Sequence, residues 1–89
     1  MSPAPTAPDQ IAATLVGYIQ DSILLGKKAD VRGMASFLEA GIIDSTGVLE
    51  LVQFIEETWD LKVKDEDMVP ENLDSIARLV AYIQKKKGA

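Results

Sequence analysis

Neither cysteine nor histidine occurs in these 89 residues. Without cysteine there is no disulfide, no thiolate metal site and no cysteine nucleophile. Without histidine the commonest general base and the commonest transition-metal ligand are missing as well. Aromatic residues make up only 6% of the chain, and positive charge is in the minority: nine Lys and Arg against fourteen Asp and Glu, a net charge of −5. That balance argues against a nucleic-acid binder. The apolar runs are a few residues long, far short of a membrane span. Residues 1–8 have neither a basic head nor an apolar stretch, so no signal peptide is expected and the cytoplasm is the default location. Such a chain is expected to act through a partner or an added group, not by catalysis of its own.

What is present is ordinary globular composition, 47% apolar and 26% charged, in a length that suits one domain. Residues 1–8, with Pro3, Pro5 and Pro8, read as a flexible N-terminal tail, residues 9–84 as a helical bundle, and residues 85–89 as a flexible basic C-terminal tail. Asp9 is the expected N-cap of a first helix whose Ala12, Leu15, Val16, Ile19 and Ile23 form one apolar stripe, with Gly26 as its stop. A last helix, capped by Asp74 or Ser75, repeats the spacing with Ile76, Leu79, Val80 and Ile83, and Tyr82 adds bulk beside the stripe.

Between them lies the most informative helix, opening at Asp44 and Ser45. Projected at about 100° per residue, Val48, Leu51, Val52, Ile55 and Trp59 share one arc, with Phe54 at its edge. Thr46, Glu50, Gln53 and Glu57 occupy the opposite face, while Leu49 and Glu56 lie on the side of Ser45. The stretch from Gly26 to Asp44 has weak periodicity. Phe37, Leu38, Ile42 and Ile43 are expected to pin it, and Gly41 to make the turn between them. Asp65 to Leu73, interrupted by Pro70, holds only a short helical turn, and the alternating Leu61 to Val63 has no partner strand. The fold class is all-α: a small four-helix bundle of three main helices and one short one, with a long first loop.

Acidity is concentrated. Residues 44–74 carry a net charge of −8, whereas residues 75–89 carry +4. A local field of this kind steers basic partners, although a solvated acidic face would look the same. Asp65, Glu66 and Asp67 lack the spacing and glycine of a calcium loop.

The segment from Ile42 to Val52 is where chemistry could reside. It places a serine hydroxyl at a helix N-terminus, whose unpaired N–H groups and positive dipole end favour an attached anion by about 0.3–1 kcal/mol. Asp44 opposes part of that effect. On these two residues alone, Asp44 as a simple N-cap and Ser45 as a first-turn residue is the better description.

The wider pattern is more specific. Gly41, Ile42, Ile43, Asp44 and Ser45, then Val48 to Val52 and the acidic end from Glu56 to Trp59, resemble the acyl and peptidyl carrier protein family in its discrete, stand-alone form. The likeness runs from the Asp9 helix to Ile83. It implies that Ser45 is the attachment point for 4′-phosphopantetheine, donated from coenzyme A by a phosphopantetheinyl transferase. That arm would supply the thiol this chain lacks and carry acyl, aminoacyl or polyketide intermediates as thioesters. The other implied partners are a loading ligase or transferase and downstream synthases or acyltransferases, met by a monomer.

The surface expected to meet them comprises Thr46, Leu49, Glu50, Gln53 and Glu57, with Glu56 at its flank and Asp44 beside the attachment point. In the family some cargo tucks between helices, which would place Leu51, Ile55, Met68, Leu73 and Ile76 around a cavity. Members serving primary fatty-acid synthesis usually follow the modified serine with leucine and often aspartate; here Thr46 and Gly47 stand there, which points to a specialised pathway. The contrasting readings are an adaptor bundle that docks basic partners through its acidic helix, and an enzyme using Ser45 as nucleophile. The latter has only lysine or carboxylate available as base, and no paired arrangement is evident.

Overall fold

A computed structural model describes residues 7–26 and 30–87, with Ser45 described by its backbone alone. Residues 1–6 of the expected N-terminal tail and 88–89 of the C-terminal one therefore lie outside the described residues. The elements are α1 (Pro8–Tyr18), which continues as a π turn over Ile19–Ile23, α2 (Phe37–Ala40), α3 (Ser45–Trp59), a 3₁₀ turn (Asp65–Asp67), α4 (Pro70–Leu73) and α5 (Ile76–Lys86). Three long helices and short ones between them give the expected all-α bundle, and no strand occurs among the described residues.

The apolar stripes meet in one core. Ile11, Leu15 and Ile19 of the first helix, Leu51, Ile55 and Trp59 of α3, and Ile76, Leu79 and Ile83 of α5 are all buried. Phe54, at the edge of the α3 stripe, stacks on Tyr18 with ring centroids 4.0 Å apart and meets Trp59 edge-on at 6.1 Å. Burial, together with the Glu50 and Glu57 carboxylates, pushes the Tyr18 phenol above its ordinary range. Its hydroxyl donates to the Glu50 carbonyl at 3.2 Å.

Several local expectations are corrected. The N-cap of α1 is Ala7, with Pro8 in the first turn, because proline's fixed φ suits that turn and drives the residue before it into extended backbone. Asp9 is thereby inside the helix, where its carboxylate meets Arg32 at 2.8 Å. At the other end the Leu24 N–H reaches back to the Ile19 carbonyl, and the chain turns left-handed at Leu25 (φ 54°) before Gly26 (φ 86°). Ile23, in this wide turn, is half-buried against the core, while Ile19 is fully enclosed.

The long loop holds a helical turn of its own, α2, which periodicity could not show. Phe37 and Ile43 are buried pins, and so is Val31, which had no pattern to mark it. Ile42 is half-buried, whereas Leu38 is 50% exposed and pins nothing. Gly41 takes the left-handed conformation (φ 73°) that ends α2. Pro70 does not break one turn but starts a second, α4.

At the C-terminus the helix runs through Lys86, two residues past the expected limit of the bundle. Lys86 Nζ is 3.7 Å from an Asp67 carboxylate oxygen, and Lys87 Nζ donates to the Trp59 carbonyl at 2.8 Å. Lys87 thereby closes the carboxyl end of α3, and Lys86 pairs with the 3₁₀ turn.

Asp74 and Ser75 divide the work the sequence left open between them. Ser75 caps α5, accepting from the Arg78 N–H at 3.2 Å. Ser36 is the N-cap of α2, accepting from the Glu39 N–H at 3.2 Å, and Asp74, buried, reinforces that start from across the fold. Its carboxylate accepts from the Leu38 N–H at 3.0 Å and from the Ser36 hydroxyl, and its carbonyl accepts from the Phe37 N–H at 2.8 Å. Asp74→Ala should therefore lower unfolding free energy by roughly 2 kcal/mol in denaturant titration, and Asp74→Asn by less, because the amide oxygen still accepts one of these bonds.

Candidate functional site

The turn at Gly41 brings Ile42 and Ile43 back onto the core, so that Asp44 stands at the mouth of α3 with extended backbone (φ −103°, ψ −172°). Its carboxylate accepts from the Gly47 N–H at 2.8 Å and its carbonyl from the Val48 N–H at 2.9 Å, as an N-cap should. Ser45 is the first residue of the helix. Gly47 is buried against Ile43: a Cβ there would lie 3.1 Å from Ile43 Cγ2. The glycine costs the helix up to about 1 kcal/mol in propensity but lets the end of the loop sit flush on the first turn.

Beyond this start, α3 presents two surfaces. Thr46, Glu50, Gln53 and Glu57 are exposed on one face, with Gln53 Nε2 3.4 Å from Glu57 Oε1. Glu56 departs from them. It is half-buried, and its carboxylate accepts from the Val63 N–H at 2.9 Å, tying the following loop to the helix. Asp60, in left-handed conformation (φ 51°), ends the helix on the acidic side.

The second surface is an apolar groove of about 350 Å³. One wall is α2 with Phe37 and Leu38, the floor is Ile43 and Val48, and the far wall is Met68, Val69 and Leu73. Leu49, 60% exposed, stands on its rim four residues after Ser45. Of the large exposed hydrophobic side chains among the described residues, Leu38, Leu49 and Val69 all line this groove, and only Leu25 lies elsewhere. Met68 and Leu73 were expected around a cavity and are there. Leu51, Ile55 and Ile76 were expected with them but are core residues with at most 2% exposure. The residues that sequence reasoning missed are Leu38, read as a pin, and Val69, which no pattern marked.

The assembly is a short helical bundle with an Asp-Ser pair heading an acidic helix beside an open apolar groove. Known proteins of the same kind are found by comparison. The chain is 43% identical over 65 residues to an acyl carrier protein of Akkermansia muciniphila, an alignment covering 72% of this chain and 79% of that one. It is 38% identical over 59 residues to an acyl carrier protein of Bdellovibrio bacteriovorus, covering 66% and 73% respectively. A probable acyl carrier protein, PigG, of a Serratia species is 23% identical over 78 residues, 88% of this chain and 90% of that protein. No family profile matches. The chain belongs to the acyl carrier protein family. Among the described residues no helix is long and apolar enough to cross a membrane.

The cap makes a direct test of the site's architecture. Asp44→Ala should cost about 1 kcal/mol in thermal or denaturant unfolding and raise amide exchange at Gly47, whereas Asp44→Asn should restore most of the loss, since its side-chain oxygen still accepts from that N–H.

Proposed function

We propose that this chain is a monomeric, non-catalytic carrier that holds acyl intermediates on a 4′-phosphopantetheine arm esterified to Ser45 and presents them to cytoplasmic enzymes of a specialised pathway. The observation that carries the reading is the position of Ser45, at the start of a capped acidic helix in a chain of this family. When attached, the arm supplies a thiol for thioester carriage, a group the sequence itself does not contain.

The residues around Ser45 fit such a group. The first turn of α3 offers backbone N–H groups without intrahelical partners to a phosphodiester, and the adjacent carboxylate of Asp44 is drawn to the Gly47 N–H, which offsets part of its negative charge. Thr46 is exposed beside the attachment point, leaving room for a phosphopantetheinyl transferase to approach. The groove opens within a turn of Ser45 and offers Val48, Leu49, Met68 and Val69 to an apolar tail. Glu50, Gln53 and Glu57, with Leu49, form the face proposed for docking the transferase, the loading ligase or transferase and the downstream synthases or acyltransferases. Weak, salt-sensitive attraction suits a partner that must release the carrier after each transfer. Glu56, half-buried and with one carboxylate oxygen engaged by the Val63 N–H, stands at the flank of this face. The specialised pathway is supported by Thr46 and Gly47 in place of the leucine and aspartate of the housekeeping pattern, with Gly47 fixed by its approach to Ile43.

Intact mass after incubation with coenzyme A, Mg²⁺ and a broad-specificity phosphopantetheinyl transferase should rise by one arm in the wild type and stay unchanged in Ser45→Ala, whose circular dichroism should match the wild type. No gain with several transferases, and none on protein from the native host, would favour an adaptor that docks partners through the acidic helix alone. Charge reversal at Glu50 and Glu57 should slow loading about tenfold or more at low salt, with stability changed by no more than about 0.5 kcal/mol. Unchanged rates would remove this face from the docking surface.

A further inference from the structure

The far wall of the groove has little structure of its own. Met68 and Val69 lie between a single 3₁₀ turn and the four-residue α4, and such short elements do not hold a position unaided. What holds them comes from behind. Tyr82 of α5, 5% exposed, donates its hydroxyl to Asp67 Oδ2 at 2.9 Å. It lies beside Glu71, Asn72 and Arg78, on a side of the segment away from the groove. The Asp67 carbonyl accepts from Asn72 Nδ2 and from the Val69 N–H, both at 2.9 Å, and the Met68 N–H donates to the Asp65 carbonyl at 3.1 Å. Lys86 stands 3.7 Å from the oxygen that Tyr82 engages. A buried phenol therefore fixes Asp67, and the next two residues are groove wall.

We infer that Tyr82 is a positioning residue for cargo size: through its hydroxyl bond to Asp67 it sets where Met68 and Val69 stand and hence the length of tail the groove accepts. The inference rests on the groove being the cargo site proposed above. It differs from a purely structural role in one respect. Removing the hydroxyl leaves the buried ring, and with it the core, in place, while the wall on the far side of Asp67 is released. Asn72 limits the release by retaining the Asp67 carbonyl, so the wall loosens without detaching.

The test uses the full chain with Ser45→Ala, so that loading plays no part. Amide hydrogen exchange is followed at Met68 and Val69, and binding of straight-chain alcohols of increasing length, uncharged stand-ins for a cargo tail, is measured by calorimetry. In Tyr82→Phe, exchange at Met68 and Val69 should rise about tenfold while Leu51 and Leu79 keep wild-type rates, and the preferred alcohol should become longer. Asp67→Asn, which still offers an oxygen to Tyr82, should behave as wild type in both measurements. Unchanged exchange and length preference in Tyr82→Phe would overturn the inference. So would an equal rise at Leu51 and Leu79, which would mark a general loss of stability, or an Asp67→Asn variant as loose as Tyr82→Phe, which would assign the effect to charge pairing with Lys86. If the parent chain binds no alcohol, the groove is not a cargo site and the size claim falls with it, whereas the mass measurement on Ser45 still decides loading.

Discussion

The arrangement depends on one buried carboxylate. A helix of four residues leaves its first N–H groups without intrahelical partners, so α2 has little stability of its own. Asp74 supplies acceptors for its first N–H groups from a point 36 residues further along the chain, at the junction of α4 and α5. Because the next residue, Ser75, caps α5, two adjacent side chains start two helices that run from the same corner of the fold. Phe37 is held in the core by this junction, and with it the segment that leads through Gly41 to Asp44. The groove, the rim leucines and the start of α3 all follow from where that corner is.

The second helix of the expected plan, α3, shows how three demands fit on one cylinder. Its core arc is closed by Leu51, Ile55 and Trp59, and its outer face is acidic and solvated. A third strip, Val48 and Leu49, is apolar yet open because the short elements opposite it do not fill the space. Carboxylates on this helix are not equivalent. Glu50 and Glu57 are exposed, whereas Glu56 is half-buried and holds the loop that leaves the helix. The positive C-terminal residues balance this acidic region from within the molecule: Lys86 approaches Asp67, and Lys87 meets the carbonyl end of α3.

The long helices were legible because burial repeats every three to four residues along Leu15, Ile19, Leu51, Ile55, Leu79 and Ile83. The head of α3 was legible for a chemical reason: Asp44 is a strong capping residue, and Ser45 follows it into the first turn. What was not legible rests on partners remote in sequence. Phe37 to Ala40 is too short for periodicity to mark, although Ser36 and Glu39 form a local capping pattern at its start, and nothing local distinguishes Leu38 on the rim from Phe37 in the core. Lys87 beneath Trp59 is of the same kind. Asp9 was misplaced by one turn-forming choice, because proline competes for the helix start more strongly than an aspartate that follows it.

The π turn after Tyr18 has a bearing on how such a chain can change over generations. A bond from Leu24 back to Ile19 encloses one residue more than an α-helical turn does. The surplus is taken up after Ile19, where the last fully enclosed side chain of that helix has already been placed. A residue gained or lost at this point lengthens or shortens the approach to the first loop without sliding Ile11, Leu15 or Ile19 past their neighbours. The turn acts as a slack link between a core whose register is fixed and the approach to the first loop.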